Sequence, residues 1–232
     1  MSPLVTPGAL TLCCSDMAAP PLFWTEVDGT RHGYEPGAAE VVAGALGLEL
    51  HWIFRQWADF ARALADGECD GIWCGSAITP EREQRFLYSR PYAVFDESVV
   101  VRAGDAIGAA RDLGGRRVGA IAGSTNMALA GTFEGAVRVP FDGVTDDVLG
   151  DMLRALQTGE VDAVVDDDVA FIGIERTYPD LRVAFTVATR NSWGCALRLE
   201  NGELKDALDE GIAEADLQLV WEHWLPSLPY PL

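Results

Sequence analysis

The chain has 232 residues, 49% of them hydrophobic and 23% charged, with a formal net charge of -19. That size suits one large domain or two small lobes, and the acidity argues against nucleic acid or an anionic membrane as a partner, because their phosphates would be repelled. No run approaches 18 apolar residues, so the sequence gives no sign of a membrane-spanning helix.

The N-terminal stretch MSPLVTPGAL has neither a basic region nor a long apolar one of the secretory type. The first strand-like run is ALTLCCSD (9–16), apolar and ending in small polar residues. A helical pattern follows over HGYEPGAAEVVAGALGLEL, then a strand at HWIF, after which Trp57 opens the next helix, WADFARALADG. That helix stops at Gly67 and runs into a short apolar strand ending at Trp73. The unit recurs. ALADGECDGIW (63–73) and ALQTGEVDAVV (155–165) share five of eleven positions at an offset of 92 residues. In the second copy the preceding helix begins near Thr145, a plausible N-cap. RRVGAIAGST (116–125) likewise matches the first strand in character and spacing.

Strands alternating with helices predict parallel α/β sheets, and the repetition predicts two similar α/β lobes facing each other. Lobe 1 is expected over 1–94 plus 190–232 and lobe 2 over 98–187, with hinge crossings near 95–98 and 187–191. A single C-terminal helix is expected over about 204–224. Open α/β sheets bind ligands beyond the carboxyl ends of their strands. Four such ends are expected to line a cleft: Ser15 and Asp16, Cys74 to Ala77, Gly123 to Asn126, and Asp166 to Asp168.

Four features of these ends carry chemistry. Thr79, Pro80, Glu81 and Arg82 predict a helix start with Thr79 as N-cap and Pro80 at its first position. Arg82 gains nothing from the helix dipole there, so it is either a surface arginine beside Glu81 or Glu83, or a fork for a ligand carboxylate. Gly123, Ser124 and Thr125 end a strand ahead of a helix and offer N–H groups and hydroxyls to an anion, though Gly-Ser turns are common. In the run Asp166-Asp167-Asp168, strand alternation points Asp167 towards the cleft and a cationic group; the outer two are expected to be solvated. Trp57, Trp73 and Trp193 each suit either core or a pocket wall, with core favoured for Trp73, while Trp221 and Trp224 are read as packing. His32, His51 and His223 lie far apart and no Cys/His spacing suggests a metal, so neither metal nor cofactor is expected. No nucleophile–base pair is visible, and Cys74 has no histidine assignable to it.

With these pieces in place, the chain resembles the family 3 extracellular solute-binding proteins, the polar amino-acid receptors of ABC importers, with the type II periplasmic-binding-protein fold. GALTLCCSDMAAPPLFW, QWADFARALADGECDGIW, ITPEREQRFLYSRPY, LGGRRVGAIAGSTN, ALQTGEVDAVVDDD and ADLQLVWEHWL carry the resemblance. It implies a small amino-acid-like ligand whose carboxylate is held by Arg82 with Ser124 and Thr125, and whose amino group is held by Asp167. Asp16, Gly75, Ser76, Ala77, Trp57 and Trp193 complete the expected binding residues, and the resemblance further implies a monomer that hands its ligand to an ABC permease.

Ala19 stands where the family has an aromatic, and Ala77 where it has Ser or Thr; with Trp57 and Trp193 the space at Ala19 suggests room for a bulky apolar ligand portion. The family is normally extracytoplasmic; the N-terminal stretch fits either a cytoplasmic chain or one whose signal has been removed, and five cysteines, an odd number including adjacent Cys13 and Cys14, lean towards a reducing compartment. An enzyme similar to the cyclohexadienyl dehydratases, with a cleft acid driving elimination, and an intracellular ligand sensor are the alternatives.

Overall fold

The computed structural model describes residues 4–232 and divides into two compact units, Met1–Val94 with Asn191–Leu232, and Phe95–Arg190. In the first unit, β1 (Ala9–Cys14) is buried at every position, which fits its unbroken apolar sequence: a central parallel strand is covered on both faces. It pairs in parallel with β4 (Glu49–Phe54) on one side and β5 (Gly71–Ile72) on the other. Antiparallel strands β12 (Ala196–Leu197) and β6 (Leu87–Tyr88) complete the order β4-β1-β5-β12-β6. A small hairpin, β2 (Trp24–Thr25) with β3 (Arg31–His32), leads into α1 (Tyr34–Ala45). Gly33, at φ 114, starts that helix where a Cβ would come within 2.3 Å of the Leu22 carbonyl oxygen, so only glycine fits. Buried Tyr34, Ala38, Ala39 and Val42 form the inner face of α1, and α2 (Phe60–Ala65) buries Phe60 and Leu64.

The single C-terminal helix expected from sequence is two helices, α6 (Gly202–Glu214) and α7 (Leu217–Trp224). The break has a local cause. Ala215 is extended, and the Asp216 side chain accepts from Leu219 N at 3.0 Å, capping a new helix where one long helix would have continued.

The second unit has the order β11-β7-β10-β8-β9, with β7 (Ala93–Arg102), β8 (Arg117–Ile121), β9 (Val137–Phe141), β10 (Ala163–Asp167) and β11 (Leu181–Trp193). β8 runs parallel to β9 and β10, while β7 is antiparallel to β10. Its core joins Val99, Val101, Val118, Ala120, Ala163 and Val165 with Leu113 and Phe133. Burying each larger aliphatic or aromatic side chain here contributes roughly 1.5–3 kcal/mol. Helices α3 (Thr125–Ala130), α4 (Val148–Thr158) and α5 (Ile174–Thr177) belong to this unit. The N-cap of α4 is Asp147, which accepts from Gly150 N at 3.0 Å, in place of the expected Thr145, whose hydroxyl instead donates to Asp151. Its C-cap is Gly159 at φ 80, the left-handed stop that the repeat predicts. The chain passes between units through β7 and β11. Among the described residues no helix is long and apolar enough to cross a membrane, and no group of three His, Cys, Asp or Glu side chains could hold a metal ion.

Candidate functional site

In the first unit, the loops after β1 and β5 and the turn bearing Arg82 come together through hydrogen bonds. Asp16 is half solvent-exposed and accepts from Thr25 Oγ1 at 2.7 Å. Arg31 braces this loop, donating from Nη1 to Thr25 Oγ1 at 3.0 Å and from Nη2 to the Ser15 carbonyl at 2.7 Å. The Arg31 guanidinium is buried among Phe23, Trp52 and Phe54, whose ring centroids lie 4.9–5.4 Å away.

After β5 the chain turns at Gly75, φ 59, where a Cβ would meet the Trp193 ring at 3.4 Å. Gly75 N donates to Glu35 Oε1 at 3.2 Å, and Glu35 is fully buried. Burial, with Cys74 nearby, pushes the Glu35 carboxyl up to about 8 against the pull of the Tyr92 hydroxyl and the Gly75 N–H. Ser76 Oγ lies 3.2 Å from the Tyr88 hydroxyl, and the Ser76 carbonyl accepts from Gly194 N.

The helix expected at Thr79-Pro80 is only a single 3₁₀ turn, Arg82–Gln84. Thr79 still works as a local cap, since Arg82 N donates to its Oγ1 at 3.2 Å, but Phe86 and the strand β6 follow at once and leave no room for α-helix. The short turn aims Arg82 inward. Half-buried, it donates from Nη1 to the Ala77 carbonyl at 3.1 Å, and its guanidinium carbon lies 5.7 Å from the centroid of the half-buried Trp57 ring. It also neighbours Tyr88: burial raises that phenol, while the Ser76 hydroxyl and the Arg82 guanidinium pull it back down. The structure thus brings Arg82, Trp57, Ser76 and Ala77 together and adds Tyr88, which sequence reasoning missed. The SRPY context marks its neighbourhood without singling it out.

Two expectations for an apolar subsite change. Trp193 is 1% exposed and Ala19 is 3% exposed. Ala19 is also bonded to Phe23 through both backbone groups. Of the three residues expected to make that room, only Trp57 presents partly open surface.

In the second unit, Ser124 is the N-cap of α3: its Oγ accepts from Met127 N at 3.0 Å and donates to the Ile121 carbonyl at 2.6 Å. Its hydroxyl therefore already serves the helix start, while Thr125 is half-buried. The next residue, Asn126, is buried and donates from Nδ2 to Glu97 Oε1 at 2.9 Å and to Asp167 Oδ1 at 3.4 Å.

The antiparallel register sets Asp167 directly opposite Glu97, which is 2% exposed, and Asp166 opposite Ser98. Asp167 is pushed well above the carboxylate range by burial, then by Asp166 and Glu97, against the pull of Asn126. Burial and Glu97 push Asp166 to about 7, against the pull of the Asp167 N–H it accepts at 2.8 Å. Burial and Asp96 push Asp168 to about 6, and its Oδ1 is buried without a hydrogen-bond partner. The solvated turn expected of Asp166 and Asp168 is thus absent. All three are half-buried at the end of β10, because the edge of β7 supplies a facing acid that no local pattern reveals. Sequence reasoning did not pick out Glu97 or Asn126 for this cluster; the one local signal for Glu97 is the acid pair Asp96-Glu97 ahead of the run SVVV.

Chemically, the first unit offers a half-buried guanidinium beside the Ala77 carbonyl and the Trp57 ring, and the second offers carboxylates that crowd one another. The L-cystine-binding protein TcyJ of Escherichia coli (strain K12) is 27% identical over 215 residues, spanning 88% of this chain and 78% of that protein. The arginine-bound form of truncated ArgBP from T. maritima superposes with a TM-score of 0.79 at 26% identity, covering 90% of this chain and 97% of that one. An ancestral arginine-binding protein bound to arginine gives a TM-score of 0.83 at 24% identity, over 94% and 98% of the two chains. The fold is the expected one, two α/β lobes of the type II periplasmic-binding-protein kind. Residues 12–222 match the family description over nearly the whole chain, and the chain therefore belongs to the bacterial extracellular solute-binding proteins, family 3.

Proposed function

We propose that this chain binds a small amino-acid-like ligand, anchoring its carboxylate on Arg82 and its amino group on Asp167, as the solute-binding component of an ABC importer. The observation that carries the reading is the setting of Arg82. The turn after β5 directs a half-buried guanidinium inward, beside Ala77 O, Trp57 and Tyr88, in a chain whose net charge is -19. A cation so placed is poised for a bidentate carboxylate. Asp167, with Asn126 bonded beside it and Glu97 opposite, supplies the complementary anion, and an ammonium group would relieve the repulsion among these acids. Ser76 and Thr125 offer further donors, whereas Ser124 contributes through its place at the start of α3 more than through its hydroxyl. The names of the relatives, one L-cystine-binding and one arginine-bound, are consistent with an amino acid as ligand.

The test is thermal unfolding of the purified chain against a panel of L-amino acids that includes arginine and cystine, their N-acetylated forms, and acids lacking an amino group. A ligand at 100 times its Kd adds about 2.7 kcal/mol, equivalent for a chain of this size to a midpoint shift of about 5–10 °C. A shift with a zwitterionic ligand that disappears in Arg82→Ala supports the reading. A response confined to acids without an amino group would overturn it.

A further inference from the structure

Glu35 is not among the residues assigned to the ligand, yet it is fully buried and bonded to one of them, Gly75, in the loop whose Ala77 carbonyl receives Arg82. Its Oε1 accepts from Gly75 N at 3.2 Å and from the Tyr92 hydroxyl at 2.9 Å. Tyr92 lies face to face with Trp73, ring centroids 3.9 Å apart and planes 10° from parallel, and the Trp73 indole N–H donates to the Glu35 carbonyl at 3.2 Å. Side chain and backbone of one helix-start residue thus hold the Trp73–Gly75 side of the Cys74–Ala77 turn.

The opposite side of the turn is held by the segment after Asn191. Gly194 N donates to the Ser76 carbonyl, Ile78 N donates to Ser192 O, and Trp193 packs over Gly75. Tyr92 N donates to the Trp193 carbonyl at 2.9 Å, which closes the ring of contacts. The Ala77 carbonyl that receives Arg82 Nη1 is two residues from the Gly75 amide that Glu35 holds. Gly75 sits at φ 59, a left-handed conformation that glycine adopts without steric cost, and Glu35 supplies the acceptor for its N–H.

We propose that Glu35 is a positioning residue for the ligand-carboxylate half of the site, holding the Gly75–Ala77 loop so that the Ala77 carbonyl aims Arg82; this rests on the functional reading above. A buried carboxylate fills core volume at a desolvation penalty that an aliphatic residue would avoid. Its two donors show what it is used for: one is the loop amide, the other the tyrosine that heads β7.

The experiment compares wild type, Glu35→Ala, Glu35→Gln and a core control, Leu208→Ala, which truncates a fully buried side chain on α6. Two quantities are read: hydrogen exchange of the Gly75 amide, and the Kd for L-arginine and for L-cystine. Glu35→Ala is expected to speed Gly75 exchange at least tenfold and weaken binding at least tenfold. Glu35→Gln, which keeps an acceptor oxygen, should restore both to within about threefold. Leu208→Ala should lower the melting temperature while leaving Gly75 exchange and Kd near wild type.

A Gly75 amide equally protected in all four proteins overturns the proposal, as does equal loss of binding in Leu208→Ala and Glu35→Ala. Should Glu35→Ala fail to fold, Tyr92→Phe removes one of the two bonds to the same carboxylate and should leave Gly75 protected. Faster Gly75 exchange in that variant than in Leu208→Ala would assign the loop to Tyr92 and refute the role of Glu35. A wild type that responds to neither amino acid counts against the functional reading alone. Gly75 exchange then still decides: fast in Glu35→Ala and restored in Glu35→Gln upholds the loop-holding role.

Discussion

Replacing Asp167 with asparagine should make the unliganded protein more stable and remove its response to ligand. The two side chains have the same shape, so no cavity forms, and the new amide could still accept from Asn126 and donate to Glu97. What disappears is one of several carboxylates crowded at the end of β10. Burial, Asp166 and Glu97 hold the Asp167 midpoint well above the carboxylate range. A charged group crowded in this way costs a fold on the order of 1–3 kcal/mol, about 2 kcal/mol where partial exposure screens it.

The sign follows from proton counting. A carboxyl with a folded midpoint above its unfolded one holds more protons folded than unfolded between the two values. For Asp167 that contribution is full below the unfolded midpoint near 3.8 and is lost as the pH rises through the raised folded one. Unfolding by circular dichroism at pH 4 and pH 8 should therefore show Asp167→Asn melting about 4–8 °C above wild type at pH 8, and level with it at pH 4. Ligand binding should follow the opposite trend in wild type, strengthening as the pH rises, because an ammonium needs the ionised acid. A variant less stable than wild type at pH 8 would show that the Asp167 carboxylate is satisfied within the fold. Full ligand response in the variant would remove Asp167 as the amino anchor.

Arg82→Lys keeps the charge but loses the planar fork, and isothermal titration should show Kd weakened about 10- to 100-fold with little change in melting temperature, as for a lost charge-assisted pair of about 1.5–3 kcal/mol. Trp57→Ala removes the ring beside that guanidinium and should weaken binding about fivefold, a loss of about 1 kcal/mol; unchanged affinity would place Trp57 outside the site. Asp162→Asn is the control for stability without function: Asp162 accepts from Arg117 N, Nε and Nη2 and is held down to about 2. Its contribution, about 1 kcal/mol once solvent screening is allowed for, is present above pH 4 and lost as the pH falls towards 2. The variant should therefore melt lower at pH 7, match wild type near pH 2, and keep its ligand-induced shift.

What can be read from sequence is whatever repeats or whatever a short window decides. The helix–Gly–strand unit at Gly67 and Gly159 and the buried run of β1 follow from local pattern, and the Trp73 core position follows from strand composition, whereas the local pattern leaves Arg82 open between surface and site. Two misreadings, the cap at Thr145 and the unbroken C-terminal helix, turn on a neighbouring aspartate that caps instead; the others have a long-range source. At Thr79-Pro80 the cap forms but the helix is cut short by β6, which pairs with β12 more than a hundred residues away. Asp166 and Asp168 look solvated in the sequence because the acid opposite Asp167 lies seventy residues earlier in β7. Trp193 and Ala19 look available because their burial is created by partners elsewhere in the chain. Strand pairing across long separations decides these positions, and no local window contains it.

That same long-range pairing explains why the two halves of the candidate site differ in kind. Around Arg82 the fold supplies the Ala77 carbonyl and the Trp57 ring, which set the direction of the guanidinium. Around Asp167 the fold supplies more acids, so ionisation is opposed until a cation arrives. Under the proposed function, a ligand with a carboxylate but no amino group would engage Arg82 alone and leave the acids either protonated or repelling one another. A zwitterion would engage both, and its ammonium would relieve the crowding of the carboxylates. Selectivity for amino acids over simple carboxylic acids should thus be set chiefly in the second unit. The measurement that isolates it is the ratio of Kd values for an amino acid and its deaminated analogue, which should fall towards one in Asp167→Asn and stay near wild type in Trp57→Ala.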